Sequence, residues 1–295
     1  MPTVAPHLPV PVDEPIAEGP VAPRVPRLDG TAVVMGLPFD RLDQATLVRL
    51  FREGIRNRRG GWIVTPNLDI LRRFSRDPES RQLIMAASHR VADGTPIVWA
   101  SRLGGTPVPE RIAGSELALS LPAAAAETGA RLLLLGGNPG VAEAAARRLE
   151  SMHPRLGRVA FHCPPFGYED DPVELARIRA VVRKAEPDLV LVGLGFPKQE
   201  RLIRSLRSEL PQAWFAGVGV SLSFVAGEQK RAPALMQRLG LEWMHRLCRE
   251  PRRLFRRYLL QGLPFSLQLF TWAFNQRLRE PSIRGGPVAG TRHRP

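Results

Sequence analysis

An aspartate in the pair Asp93-Gly94 offers acid–base chemistry. It follows His89-Arg90-Val91-Ala92, which reads as a short strand, so its carboxylate falls at a strand's carboxyl end. There it suits a base that takes the proton of an acceptor hydroxyl while that oxygen attacks the anomeric carbon of a sugar. Asp-Gly is also an ordinary turn pair, and the structural reading stays open. Thr65-Pro66-Asn67 brings a hydroxyl and a carboxamide that either cap the next helix or meet sugar hydroxyls. Arg111, in Glu110-Arg111-Ile112-Ala113-Gly114, is either an exposed surface cation or a counter-charge for a diphosphate leaving group or acceptor phosphates.

Two glycine-rich loops add a second kind of chemistry. Gly136-Gly137-Asn138-Pro139-Gly140 follows the apolar run Arg131–Leu135 and leads into an alanine-rich helix. Backbone N–H groups and a helix N-terminus in such a turn meet phosphate, so a nucleotide diphosphate fits; a merely tight turn has the same composition, and the full GxGxxG spacing is missing. Gly193-Leu194-Gly195-Phe196-Pro197-Lys198-Gln199-Glu200 follows another apolar run. Its glycines permit close approach, Pro197 opens a helix, and Lys198 and Gln199 in the first turn reach a phosphate or a sugar hydroxyl. A cation at that end opposes the helix dipole, which favours a functional reason for Lys198.

A metal centre is not expected. Glu169-Asp170-Asp171 is the tight acidic cluster and reads as a solvated loop capping the next helix, so leaving-group charge falls to arginines and helix N-termini. His89, His153, His162 and His245 show no ligand spacing, and Cys163 and Cys248 lie far apart without a CxxC pattern.

The elements that must hold these loops follow from periodicity. Thr31–Met35, Trp62–Thr65, Arg131–Leu135, Arg158–His162, Asp188–Val192 and Ala213–Val218 read as strands. Between them lie helices. One starts at Pro172 with Asp171 as N-cap, Glu174 three residues on, and Leu175, Ile178 and Val182 on one face. Another starts at Pro197 with Leu202, Leu206 and Leu210 aligned. This β–α alternation predicts an α/β fold with a mainly parallel sheet flanked by helices, its ligands at the carboxyl ends of the strands.

The 295 residues carry a net charge of +14, unevenly placed. Residues 1–30 hold eight prolines and read as a disordered leader without a signal-peptide pattern; 31–230 form the catalytic domain, 231–280 a basic helical appendage and 281–295 a disordered tail. Lys230–Leu260 holds nine Lys/Arg against Glu242 and Glu250. Within it, Arg252–Leu259 splits as an α-helix into a face of Arg252, Arg253, Arg256 and Arg257 and an apolar face. Leu259–Phe274 is apolar but only sixteen residues long and interrupted by Gly262 and Pro264. It falls short of the ~20 residues that span a bilayer and suits the interface, a covering of the sheet or a dimer contact being the alternatives. Anionic partners are implied, whether membrane lipid, phosphorylated substrate or nucleic acid.

Taken together the loops resemble one family, the WecG/TagA/CpsF glycosyltransferases (glycosyltransferase family 26). The landmarks occur in order: TPN at Thr65–Asn67, ADG at Ala92–Gly94, ERIAG at Glu110–Gly114, LLGGNPGVAEAAA at Leu134–Ala146, LVGLGFPKQE at Leu191–Glu200, and KRAP with GLEWMHRLCREPRR at Lys230–Arg253. The resemblance implies a Rossmann-like body and inverting, metal-independent transfer from a UDP-sugar to an undecaprenyl-diphosphate-linked saccharide, in the cytoplasm at the inner face of the cell membrane. It implies N-acetylmannosamine, its uronate, glucose or a similar hexose as the sugar, cell-surface or exopolysaccharide synthesis as the setting, and a homo-oligomer. Asp93 would be the base, Thr65 and Asn67 would line the sugar pocket, and Arg111 and Gln199 would assist the substrate or its diphosphate. The glycine loops, Gly136, Gly137, Asn138, Gly193 and Gly195, with Lys198, would bind the donor. Arg249, Arg252, Arg253, Arg256 and Arg257 would meet membrane or acceptor phosphate.

The sequence departs from the family in two places. Ser223 stands where an acidic residue is frequent, which puts the donor or acceptor preference in question, and Ser115-Glu116 stands where an aspartate is frequent. A nucleic-acid-binding protein is the competing reading, weakened by the lack of a recognition-helix or aromatic-interleaved basic motif. A nicotinamide-dependent oxidoreductase is weakened by His162-Cys163-Pro164 where an acidic ribose partner belongs.

Overall fold

Six short strands pair in parallel into one sheet of order β4-β3-β8-β7-β5-β6. They are β3 (Gly61–Val64), β4 (His89–Arg90), β5 (Leu132–Gly136), β6 (Ala160–His162), β7 (Leu189–Gly193) and β8 (Trp214–Gly217). The computed structural model describes residues 30–228, 232–233, 236, 242–249 and 251–279. The expected leader and tail, and Lys230 and Arg231, lie outside these.

β5 is buried along its whole length, which is why it reads as an unbroken leucine run rather than an alternation. Its side chains still alternate between two apolar layers. Leu133 and Leu135 join Val190, Val192 and Phe215 beneath α2 (Leu68–Arg76), α4 (Thr95–Leu103), α7 (Pro172–Ala185) and α8 (Lys198–Arg207). Leu132 and Leu134 join Leu189, Leu191 and Trp214 beneath α1 (Gln44–Arg56), α5 (Gly114–Thr128) and α6 (Val141–Met152). The α/β, Rossmann-like architecture with its C-terminal helix is as the sequence predicts.

The expected first strand is displaced from that sheet. Thr31–Val34 (β1) pairs antiparallel with Leu37–Asp40 (β2), a strand the sequence reading lacks. Pro38 interrupts its short pattern, as an edge strand tolerates. Met35 (φ 47) and Gly36 (φ 83) make the tight turn. Asp40 fastens the hairpin to β4, accepting from Arg90 N at 3.1 Å and lying 3.2 Å from His89 Nδ1.

Among the helices, Asp171 caps α7 through Val173 N and Glu174 N. α8 ends at Arg207, leaving Leu210 beyond it. α3 (Pro78–Met85) follows α2, and α9 (Ser221–Ala226) follows β8.

The C-terminal segment runs α10 (Glu242–Arg249), α11 (Pro251–Phe255), a π-helical stretch Arg256–Gly262 and α12 (Leu263–Arg279). The stretch from Arg256 is π-helical rather than α-helical, and Arg252, Arg256 and Arg257 are exposed while Tyr258 and Leu259 are half-buried. Leu254 is buried while Phe255 is half exposed. α12 also departs from a purely interfacial segment: Phe265, Leu269 and Ala273 are buried in the layer that holds α4 and α2. Its opposite side leaves Leu263, Leu267, Phe274 and Leu278 exposed. Among the described residues no helix is long and apolar enough to cross a membrane.

Candidate functional site

Beyond the ends of β3 and β4 the chain continues as parallel neighbouring strings. Val91 N donates to Val64 O (3.0 Å), Asp93 N to Pro66 O (3.0 Å) and Ile112 N to Ala92 O (2.9 Å). These backbone bonds bring three stretches, distant in sequence, into one corner. Asp93 Oδ1 lies 3.6 Å from Arg111 Nη1, and its Oδ2 accepts from Gly114 N at 3.4 Å. Arg111 Nη2 donates to Glu116 Oε1 at 2.7 Å, and Glu116 Oε2 accepts from Ala113 N at 3.1 Å, which holds the first turn of α5. Arg111 is therefore a half-buried member of an acid–base cluster rather than a free surface cation.

Asn67 is the N-cap of α2, its Oδ1 accepting from Asp69 N and Ile70 N at 3.1 Å each. Its amide nitrogen is not used by that cap. Thr65 does not cap; it is nearly buried, and a Cβ on Gly114 would meet its hydroxyl oxygen at 3.4 Å. The C-terminal segment reaches this corner through Arg257, whose Nη2 lies 3.3 Å from Asp69 Oδ2. Burial pushes the Asp69 carboxyl upward, but Arg257, Arg72 and Arg73 outweigh it and hold the group below the usual carboxylate range.

The second part of the site is made of backbone. A Cβ on Gly136 would fall 2.8 Å from Gly193 O, so only glycine allows the ends of β5 and β7 to approach this closely. Gly137 N donates to Gly193 O at 3.0 Å. Asn138 is exposed, and its carbonyl accepts from Val141 N as α6 begins. Gly195 N and Gly219 N both donate to Gln199 Oε1 at 3.1 Å, tying the loops after β7 and β8 together. Gln199 is 5% exposed and its Nε2 donates to Glu200 Oε1 at 2.9 Å. The amide thus works inside the loops.

Lys198 pairs with Glu169 and lies 4.5 Å from the centre of the exposed Phe166 ring. That ion pair supplies a local reason for a cation at this helix end. Of the acidic loop, Asp171 caps α7 and Glu169 holds Lys198, and among the described residues no group of three or more His, Cys, Asp or Glu is placed to hold a metal ion. His162 Nε2 is 2.6 Å from the buried Glu174 Oε1, and His89 stacks on Trp214.

The structure thus gathers Thr65, Asn67, Asp93 and Arg111 at one end of the sheet's carboxyl edge and Gly136, Gly137, Gly193, Gly195 and Gln199 at the other. β8 lies between, and a Cβ on Gly114 would approach Val218 Cα, just past β8, to 3.5 Å. Arg249, Arg252 and Arg256 are exposed, and the side chain of Arg253 lies outside the described residues. Sequence reasoning missed Glu116 and Glu200 as parts of the site. An acidic residue in the first turn of α5 was a signal for Glu116; nothing in the sequence marks Glu200 as buried. Burial raises the Glu200 carboxyl to about 7.

A sequence model described as the glycosyl transferase WecG/TagA/CpsF family matches residues 32–279. Among similar proteins are the N-acetylglucosaminyldiphosphoundecaprenol N-acetyl-β-D-mannosaminyltransferases of Staphylococcus aureus strains MW2, NCTC 8325 / PS 47 and COL. Each is 32% identical over 233 residues, covering 78% of this chain and 88% of the relative.

Proposed function

We propose that this chain, which belongs to the WecG/TagA/CpsF family of glycosyl transferases, moves a hexose from a UDP-sugar to a saccharide carried on undecaprenyl diphosphate. As a family member it is a glycosyltransferase. The relatives' names favour N-acetylmannosamine as the sugar and lipid-diphosphate-linked N-acetylglucosamine as the acceptor. The observation that carries the reading is the pairing, on one sheet edge, of the Asp93–Arg111 corner with the glycine-lined strand ends.

In this reaction the acceptor hydroxyl oxygen bonds to the anomeric carbon and gives its proton to Asp93. The bond from that carbon to the diphosphate oxygen breaks, UDP leaves, and the anomeric configuration inverts. Thr65 and the free amide end of Asn67 contact the sugar. Arg111 takes up charge on the diphosphate, which the strand ends at Gly136, Gly137, Asn138, Gly193 and Gly195 let approach closely, without a metal ion. The exposed Arg249, Arg252 and Arg256 and the outer side of α12 rest peripherally on the anionic inner face of the membrane, where the lipid-linked acceptor lies. Assembly as a homo-oligomer and a role in surface or exopolysaccharide synthesis complete the reading.

A donor screen tests it. UDP-N-acetylmannosamine, its uronate, UDP-glucose and UDP-glucuronate are offered with short-chain lipid-diphosphate N-acetylglucosamine, with and without EDTA. Transfer of N-acetylmannosamine that survives EDTA is expected. Transfer of another sugar points to Ser223, at the frequently acidic position, as a place to seek the changed preference, and no transfer from any donor overturns the reading.

A further inference from the structure

The buried carboxyl of Glu200 has no part in the chemistry assigned so far. It has no exposed surface, its Oε2 has no hydrogen-bond partner among the described residues, and its Oε1 accepts from Gln199 Nε2 at 2.9 Å. A carboxyl so placed costs stability that an apolar side chain of similar size would not. Room is made for it as well: a Cβ on Gly217 would lie 2.4 Å from Gln199 Nε2 and 3.0 Å from Glu200 Oε1. The end of β8 is glycine where these two polar groups stand.

We propose that Glu200 is a positioning residue for sugar transfer: it fixes the amide of Gln199 so that one carbonyl oxygen holds the loops after β7 and β8 in register at the donor end of the site. The inference rests on the reading of the chain as a nucleotide-sugar transferase. A carboxamide has one accepting and one donating end of nearly equal size, and rotation by half a turn exchanges them. At one end of the Gln199 amide two backbone donors converge, Gly195 N and Gly219 N, both at 3.1 Å. The flipped amide would set NH2 against both, losing two hydrogen bonds and opposing like dipoles. The two donors set which end of the amide is the accepting one, and an acceptor at the far end, Glu200 Oε1, holds the amide in that orientation and place. The neighbouring charges are engaged elsewhere, Lys198 with Glu169 and Arg201 with Glu79.

The test uses the full chain labelled with 15N-glycine, comparing wild type with Glu200→Gln, which keeps an acceptor oxygen, and Glu200→Met, which fills the space without one. Hydrogen exchange at the Gly195 and Gly219 amides is read together with UDP affinity and steady-state kinetics. In Glu200→Met both amides should exchange about tenfold faster, the equivalent of one lost hydrogen bond. The donor KM should rise by a similar factor while kcat changes little, and Glu200→Gln should restore most of both. Wild-type exchange and donor KM in Glu200→Met would overturn the proposal, as would equal loss in the Gln and Met variants. Should the Met variant fail to fold, Gln199→Leu tests the same tie with Glu200 intact: unchanged protection of Gly195 and Gly219 there refutes it. Exchange needs no substrate, so a chain that transfers no sugar refutes the proposed function and is told apart from a failure of the tie.

Discussion

At the ends of β3 and β4 the site is built from side chains, whereas at the ends of β5, β7 and β8 it is built from backbone. In the first corner Asp93, Arg111 and Glu116 form a charged chain in which the arginine lies between two carboxylates. In the second, glycines allow strand ends to touch, and one buried amide gathers two N–H groups. The proposed reaction gives the difference a reason. Moving a proton needs a titratable group held at one place, while a diphosphate needs donors from several directions and room to approach. Substitution should therefore strike the two regions differently, the first in turnover and the second in binding and stability.

The largest expected effect breaks or keeps that contrast directly. Asp93→Asn should lower kcat by about 10²–10⁴-fold, the usual contribution of a general base, with UDP affinity by calorimetry unchanged. A large loss of UDP affinity would show that the charged corner binds the donor and would erase the distinction.

The second test concerns pH. Burial raises Glu200 from 4.5 to about 7 in the fold, so its contribution to stability is full below pH 4.5 and is lost as pH rises through 7. The shift corresponds to roughly 3 kcal/mol at about 1.4 kcal/mol per unit. Denaturant unfolding of wild type against Glu200→Gln between pH 5 and 8 should show the wild type losing ground toward alkaline pH, and parallel profiles would contradict the assignment of the titrating group.

Gly136→Ala comes next. The new methyl meets Gly193 O at 2.8 Å and the backbone there has φ +101, so stability should fall by about 1–3 kcal/mol with weaker UDP binding and a smaller change in kcat for bound substrate. A kcat loss without a binding loss would reverse the contrast. The smallest effect lies outside both regions: Arg252→Gln with Arg256→Gln should weaken partitioning onto vesicles rich in anionic lipid by about 1 kcal/mol per charge removed. Equal partitioning of variant and wild type would leave Leu263, Leu267, Phe274 and Leu278 on α12 as the surface to examine.

The central strands β3, β5, β7 and β8 were legible because buried parallel strands are continuous apolar runs, and their ends fall within a residue or two of the expected ones. β2 was not, since Leu37-Pro38-Phe39-Asp40 carries no usable period and is fixed by pairing with β1 and by the Asp40 contacts to β4. The C-terminal segment was half legible. Its apolar composition was plain, but which side of α12 faces the core depends on α4, an element more than a hundred residues earlier.

By itself the sequence determined the alternation of strands and helices, the loops that end at the sheet's carboxyl edge and the residue types able to do chemistry there, because these depend on local periodicity and local turn geometry. Tertiary structure alone decided that Arg111 faces Asp93, that Thr65 is buried beside Gly114, and that Gln199 and Glu200 look inward toward Gly217 and Gly219. Those outcomes depend on distances between segments far apart in the chain, and no spacing along one segment encodes them.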